Sequence, residues 1–341
     1  MRDTPQPQRI HNPASIDAAA LRAAIAKDGK VIVQFGEHVD ATPLLADLDA
    51  LAAACGAALE IRFFGHHFTP FDAAILRALP HAANLSLDCH TSAVNLQTLG
   101  ELPHLRRLQL GVYEMQEHDI LALANLRTLE YLSLGETRKA SIDLAPLRHW
   151  PRLAQLHTTG HVKNIGAITA LPALAKLSLS QVNSRDEVDF ISAMPALAQL
   201  RFILGGRASI AHVTAPLLEE LEVVRVRGLE DVGDLGRFPR LRRLSVEDQI
   251  KLAQLRLGEN RALAWLVLRN CKTLERLHGV ASLPALRELA VYLTRLDVDA
   301  LLADGLPPAL RNLTLATGKR KRDAEIKAQL AALGYASARF Y

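Results

Sequence analysis

A leucine returns at a nearly fixed interval through most of this chain, and that interval limits the folds open to it. Taking the first leucine of each Leu-x-Leu pair, or its equivalent, gives Leu85, Leu108, Leu132, Leu156, Leu177, Leu200, Leu221, Leu244, Leu266, Leu289 and Leu313, with successive separations of 21 to 24 residues. The stretch Leu102-Pro-His-Leu105-Arg-Arg-Leu108-Gln-Leu110 shows the grammar of one unit. Leucine spacings of three, three and two fit no single helix or strand, but they fit a turn that hands over to a short strand. In such a strand Leu108 and Leu110 share one face, while Arg107, Gln109 and Gly111 share the other. Several units open on the same dipeptide, as at Leu79-Pro80, Leu102-Pro103, Leu171-Pro172, Leu283-Pro284 and Leu306-Pro307. Proline there fixes φ and stops any helix before the strand begins.

One unit cannot fold alone. Its inward side chains, such as Leu126, Leu129, Leu132 and Leu134, are worth roughly 1.5 to 3 kcal/mol each when buried. Ordering costs about 1 to 2 kcal/mol per residue. Only stacking of unit on unit offsets that cost.

The pattern resembles the leucine-rich repeat, L-x-x-L-x-L-x-x-N/C-x-L in units of 20 to 29 residues. The best match is Leu263-x-x-Leu266-x-Leu268-x-x-Cys271-x-x-Leu274, and the resemblance is strong over residues 79 to about 318. It implies an α/β leucine-rich-repeat solenoid of an irregular bacterial type, a curved horseshoe with a parallel sheet on its concave face and short helices or loops on its convex face. The chain departs from the family where Asn or Cys is usual: that position holds His90, Tyr113, Thr137, His161, Val182, Gly205, Val226, Gln249, Cys271, Thr294 and Gly318. Without an asparagine ladder, the descending side is expected to stack irregularly.

Residues 1–64 are expected to form an N-terminal arm and helix-strand capping units, 65–318 an array of about eleven coils, and 319–341 a C-terminal cap. Ser15 is placed as the cap of a first helix that Gly29 stops, followed by a strand Val31–Phe35. Asp40 or Thr42 opens a second helix running to about Cys55, followed by Leu59–Phe63. After Gly65-His66-His67, Asp72 to Leu79 makes a shorter helix. At the far end Lys319 to Arg322 is a basic turn, Asp323 caps Ala324 to Leu333, Gly334 stops that helix, and Ala336 to Tyr341 pairs as an edge strand.

Composition narrows the function classes. Lys and Arg number 40 against 36 Asp and Glu, a formal charge of +4, too small a surplus to imply nucleic acid. Cys55, Cys89 and Cys271 are widely separated, which points to free thiols in a reducing compartment. The first residues carry no apolar segment of a secretory signal, and no run approaches the length of a membrane span. The expectation is a cytoplasmic monomer that engages no membrane, and the abundance of Ala, Arg and Leu over Lys and Ile fits a bacterial chain.

No G-x-S-x-G, C-x-x-C, Walker loop or G-x-G-x-x-G is present, so the chain is expected to be no enzyme and to need no cofactor. His66, His67, His81, His90, His104, His118, His149, His157 and His161 gather in the first half without zinc spacing, and they are taken as solvated turn histidines rather than metal ligands. The run Lys319-Arg-Lys-Arg322 is taken as a solvated turn.

The outward residues of the strands carry equal numbers of the two signs. Arg107, Lys176, Arg201, Arg243 and Arg269 stand against Asp88, Glu220, Glu222, Glu247 and Glu288, whereas phosphate-tracking surfaces are one-signed. A late island of Trp265, Val267, Ala290 and Tyr292, with Val224 and Ile203 nearby, holds the residue types that dominate protein interfaces. The expected function is a protein–protein interaction module, with Trp265, Tyr292, Arg243, Arg269, Arg201, Val267, Glu222 and Tyr131 as partner-binding residues. Alternatives are an inhibitor or immunity-type protein that neutralises a toxin or effector, and a structural or regulatory scaffold subunit.

Overall fold

The computed structural model describes residues 7–65, 69–117, 119–139 and 141–338. His66, His67 and His118, and the last three residues of the expected edge strand, lie outside them. The chain divides into two compact units, residues 1–174 and 175–341.

In the first unit seven parallel strands are described, Gln8–His11, Val31–Gly36, Leu59–Phe64, Asn84–His90, Arg107–Val112, Tyr131–Leu134 and Gln155–Thr159. Each pairs with the next, and the leading leucines are partners: Leu85 with Leu108, Leu108 with Leu132, Leu132 with Leu156. Register follows from burial, because a slip by one residue would turn every leucine outward. Arg107–Val112 accordingly alternates half-buried and buried residues.

The crossovers differ along this unit. Helix α1 (Ala18–Asp28) is capped by Asp17, whose carboxylate accepts from the Ala20 N–H at 3.0 Å. Ser15 is therefore not the cap; its position is two residues too early for the hydrogen bond to the third helical N–H. Gly29 ends α1 with a φ of 75°. Helix α2 (Leu45–Cys55) follows a 3₁₀ turn, Thr42–Leu44, into which Asp40 accepts from the Thr42 N–H. From there the crossovers shorten to 3₁₀ turns such as Ala73–Ala78 and Leu96–Glu101, each ending just before a leucine-proline pair.

In the second unit seven strands again form the main parallel sheet, Lys176–Ser180, Gln199–Ile203, Glu220–Val224, Arg243–Glu247, Trp265–Arg269, Glu288–Tyr292 and Asn312–Ala316. The leucines stay in register from Leu177 through Leu313. Its descending side is more regular than the missing asparagines led one to expect. Gln254–Arg256 pairs parallel with Arg276–His278, and single bridges join Gly206 to Arg227 and Ser209 to Asp231. Backbone groups there satisfy one another across coils. The coils approach so closely that a Cβ on Gly205, at a φ of 76°, would lie 2.2 Å from the Val182 carbonyl oxygen.

Helix α3 (Val298–Ala303) and helix α4 (Arg320–Ala332) belong to this unit. Helix α4 begins earlier than expected, so Lys319–Arg322 leads into a helix instead of forming a free turn. Asp323 sits in its first turn and accepts from the N–H groups of Thr317 and Gly318 at 2.7 and 3.0 Å, closing the loop before α4.

Candidate binding face of the sheet

Alternation places one side of every strand in the core and the other on an outer face, and parallel register sorts the outer residues into rows. In the first unit one network runs across five strands. His11 meets Gln34 at 2.8 Å, Arg62 donates to Gln34 at 2.9 Å and pairs with Asp88 at 2.7 Å, and Gln109 donates to Asp88 at 2.8 Å. Residues 1–14, with three prolines, read as an arm, yet Gln8–His11 pairs as a strand with Val31–Gln34 and brings His11 to this face; Gln34 and Arg62 precede the first clear leucine pair, from which the face is counted. The alternation in Leu59-Glu-Ile61-Arg-Phe63 was the signal that could have extended it. On the next strands the Arg107 guanidinium stands 4.3 Å over the Tyr131 ring, and Tyr131 lies 5.5 Å from His157. Burial pushes the Tyr131 hydroxyl above its ordinary pKa.

The second unit carries the other expected contact residues. Arg243 lies 4.6 Å over the Trp265 ring. Arg201 pairs with Glu222 at 2.7 Å and Arg269 with Glu247 at 2.8 Å, each across adjacent strands. All of these side chains, and Tyr292, are half-buried. Val267 is different: it is 3% exposed and Ala290 is 0% exposed, although both point outward. They form a small buried cluster with Ala338, so Val267 offers no open contact surface.

The expectation of solvated turn histidines fails at His157, which lies half-buried on a strand, and at two further positions. His90 and His161 are buried, and each bonds through Nε2 to a carbonyl of the preceding coil, Phe63 at 3.0 Å and Gly135 at 2.7 Å. Gln249 reaches the carbonyls of Val223 and Glu247 at 3.5 and 2.7 Å, and the Cys271 thiol reaches those of Val246 and Arg269. Three residue types, in four coils, thus do at one position what asparagine does in the family pattern. Burial pushes the Cys271 thiol up to about 11, so it stays protonated and can donate.

One parallel strand per coil, with the leading leucines in register from coil to coil, decides the architecture. It is a leucine-rich-repeat solenoid. Neither a family model nor a curated protein sequence matches the chain. Among solved structures it is similar to an internalin from Listeria monocytogenes, at 17% identity over 76% of this chain and 77% of that one, with a TM-score of 0.46. It is also similar to a leucine-rich-repeat protein of Leptospira interrogans, at 16% identity over 91% and 89%, with a TM-score of 0.39. A complex of TLR13 with single-stranded RNA gives 17% identity over 91% of this chain and 58% of that one, with a TM-score of 0.46. The repeat geometry of the chain itself carries the assignment.

Elsewhere in the repeats several polar groups engage one another. His81 pairs with Asp49 at 2.8 Å and stacks on His104 at 5.4 Å. Among the described residues no three His, Cys, Asp or Glu side chains converge in a way that could hold a metal ion, and no helix is long and apolar enough to cross a membrane. A cavity of about 570 Å³ in the first unit is walled by Phe35, Phe63, Phe71 and Leu45. Of the polar groups beside it, Asp72 bonds to Asn95, Arg77 to Glu101 and His90 to Phe63.

Proposed function

We propose that this repeat protein is a non-enzymatic binding module that takes a protein partner on the outer sheet face of its second unit, around Trp265 and Arg243. The reading is carried by the Arg243 guanidinium held over Trp265 on strands locked in register. Tryptophan, tyrosine and arginine dominate interface energetics, and side chains already stacked lose little freedom on binding. The neighbouring charges come as matched pairs, Arg201 with Glu222 and Arg269 with Glu247, which favours a protein over a phosphate backbone. The helix-strand segment 1–64 and the tail 319–341 serve as caps of the array. Cys55, Cys89 and Cys271 are free, which supports work in a reducing compartment such as the cytoplasm.

The test is affinity capture from a native cell extract with wild type beside a Trp265→Ala, Tyr292→Ala double variant of equal thermal stability. Loss of a hot-spot tryptophan costs about 2 kcal/mol or more, roughly a 30-fold drop in affinity. The specific partner should therefore vanish from the variant's eluate. Recovery of the same partners at the same yield from both proteins would sink this placement.

A further inference from the structure

The C-terminal segment lies on the face just described. Gly334 turns the chain after α4 with a φ of 86°, and the Tyr335 N–H donates to the Leu330 carbonyl at 3.0 Å. Ala336 then runs parallel to Asn312–Ala316. Its carbonyl accepts from the Leu313 N–H at 2.8 Å, and its own N–H donates to the Arg311 carbonyl at 3.0 Å. Two residues on, the Ala338 carbonyl accepts the Thr314 hydroxyl at 3.2 Å, and Ala338 packs with Val267 and Ala290. Trp265 packs against the same cluster, and its indole N–H is shut off from solvent with no acceptor among the described residues.

We propose that residues 335–338 are a displaceable strap, closed over the Trp265 face in the free protein and opened to admit the partner. That the face serves a partner rests on the function proposed above; that the strap opens by itself does not. Among the described residues the segment is held by four hydrogen bonds, one to α4 and three to the strand beside it, and by one buried alanine, while Ala336 and Ser337 are exposed. Its hinge is a glycine with open space around it. The strand beneath keeps its full pairing with Glu288–Tyr292 when the strap leaves, so opening requires no coil to unfold. In the closed form the indole N–H is shut off from solvent with no acceptor among the described residues, and opening lets water or an acceptor on the partner reach it. A buried N–H without an acceptor is costly, which favours opening.

Native-state hydrogen exchange on the full chain tests this directly. The amides of Leu313 and Ala336, which hold the strap, should exchange about 100-fold or more faster than those of Leu266 and Leu289, at a rate indifferent to low denaturant, as local openings do. Exchange of Leu313 and Ala336 in step with Leu266 and Leu289, with the same denaturant dependence, would mean a fixed cap and overturn the proposal. Acrylamide quenching gives a second measurement. Trp150 is 1% exposed, so quenching reports Trp265, one of two tryptophans. Deleting residues 335–341 should raise the quenching constant at least twofold; no change in a folded variant counts against the strap, and if the variant unfolds, exchange on the intact chain still decides. A disulfide lock, Thr314→Cys with Ala338→Cys, separates the two readings. If partner capture depends on Trp265 and is abolished by the lock until reductant is added, both stand. Fast exchange with capture indifferent to Trp265 removes only the binding reading, and slow exchange with Trp265-dependent capture removes only the strap.

Discussion

His161 is held at both ring nitrogens: Nε2 donates to the Gly135 carbonyl and Nδ1 accepts from the Ile142 N–H at 3.1 Å. Only the neutral imidazole does both, because a proton on Nδ1 would face another donor. Burial holds its pKa below the ordinary value, and the same cause acts on His90. The unfolded chain therefore takes up these protons first, so the stability they contribute is complete above the unfolded pKa, about 6.5, and is lost as pH falls below it. The urea midpoint should hold steady down to about pH 7 and then drop as pH falls further below about 6.5. His161→Gln should lower the midpoint at neutral pH and make the acid drop smaller; an unchanged acid drop would show that His161 does not set it. Repeat spacing sets the place of His161 but not its burial. The carbonyl it serves lies 26 residues earlier, on another coil.

On the scale of elements, side-chain ties hold the crossovers of the second unit, and Arg237, at the end of the short turn Leu235–Arg237, makes four such ties. It donates to the carbonyls of Val213, Ile210, Val232 and Asp234 at 2.8, 3.2, 2.6 and 2.6 Å and stacks 4.3 Å over Phe238. Burial lowers its pKa to about 10, which leaves it charged at neutral pH. Hydrogen bonds to charged groups are worth about 1.5 to 3 kcal/mol each, and several of these acceptors would rehydrate if it were removed. Arg237→Ala should therefore cost about 2 to 4 kcal/mol in urea unfolding. Arg237→Lys should recover little of it, because an ammonium cannot reach separated carbonyls as a guanidinium fork does. Equal stability of the wild type and the alanine variant would remove the tie from the account. The turns after the strands carry a related surprise. Leu204 and Leu293 adopt φ values of 59° and 53°, a left-handed conformation that costs an L-residue roughly 1 to 2 kcal/mol. Neither is a residue type that announces such a turn, so these turns were legible only as a repeat position.

For the whole molecule, stability is collective. Leu132 is fully buried between the strands that carry Leu108 and Leu156. Leu132→Ala should cost about 2 to 5 kcal/mol, through lost transfer energy and a cavity that neighbouring coils cannot collapse into. A thermal midpoint unmoved by that substitution would contradict the stacking assigned to this coil. The leucine spacing by itself determined the strands from Leu85 to Leu313 and which of their side chains face out, because a slip by one residue would turn every leucine outward; their parallel pairing is what the family resemblance implied. Only the tertiary structure decided which outward residues remain open. Val267 and Ala290 lie beneath Ala338, which is 71 residues beyond Val267 (338 − 267), and Arg243 finds Trp265 across a neighbouring strand. Such contacts depend on where the chain end and each coil come to rest in space, and local spacing does not encode the path of a tail that returns over a face.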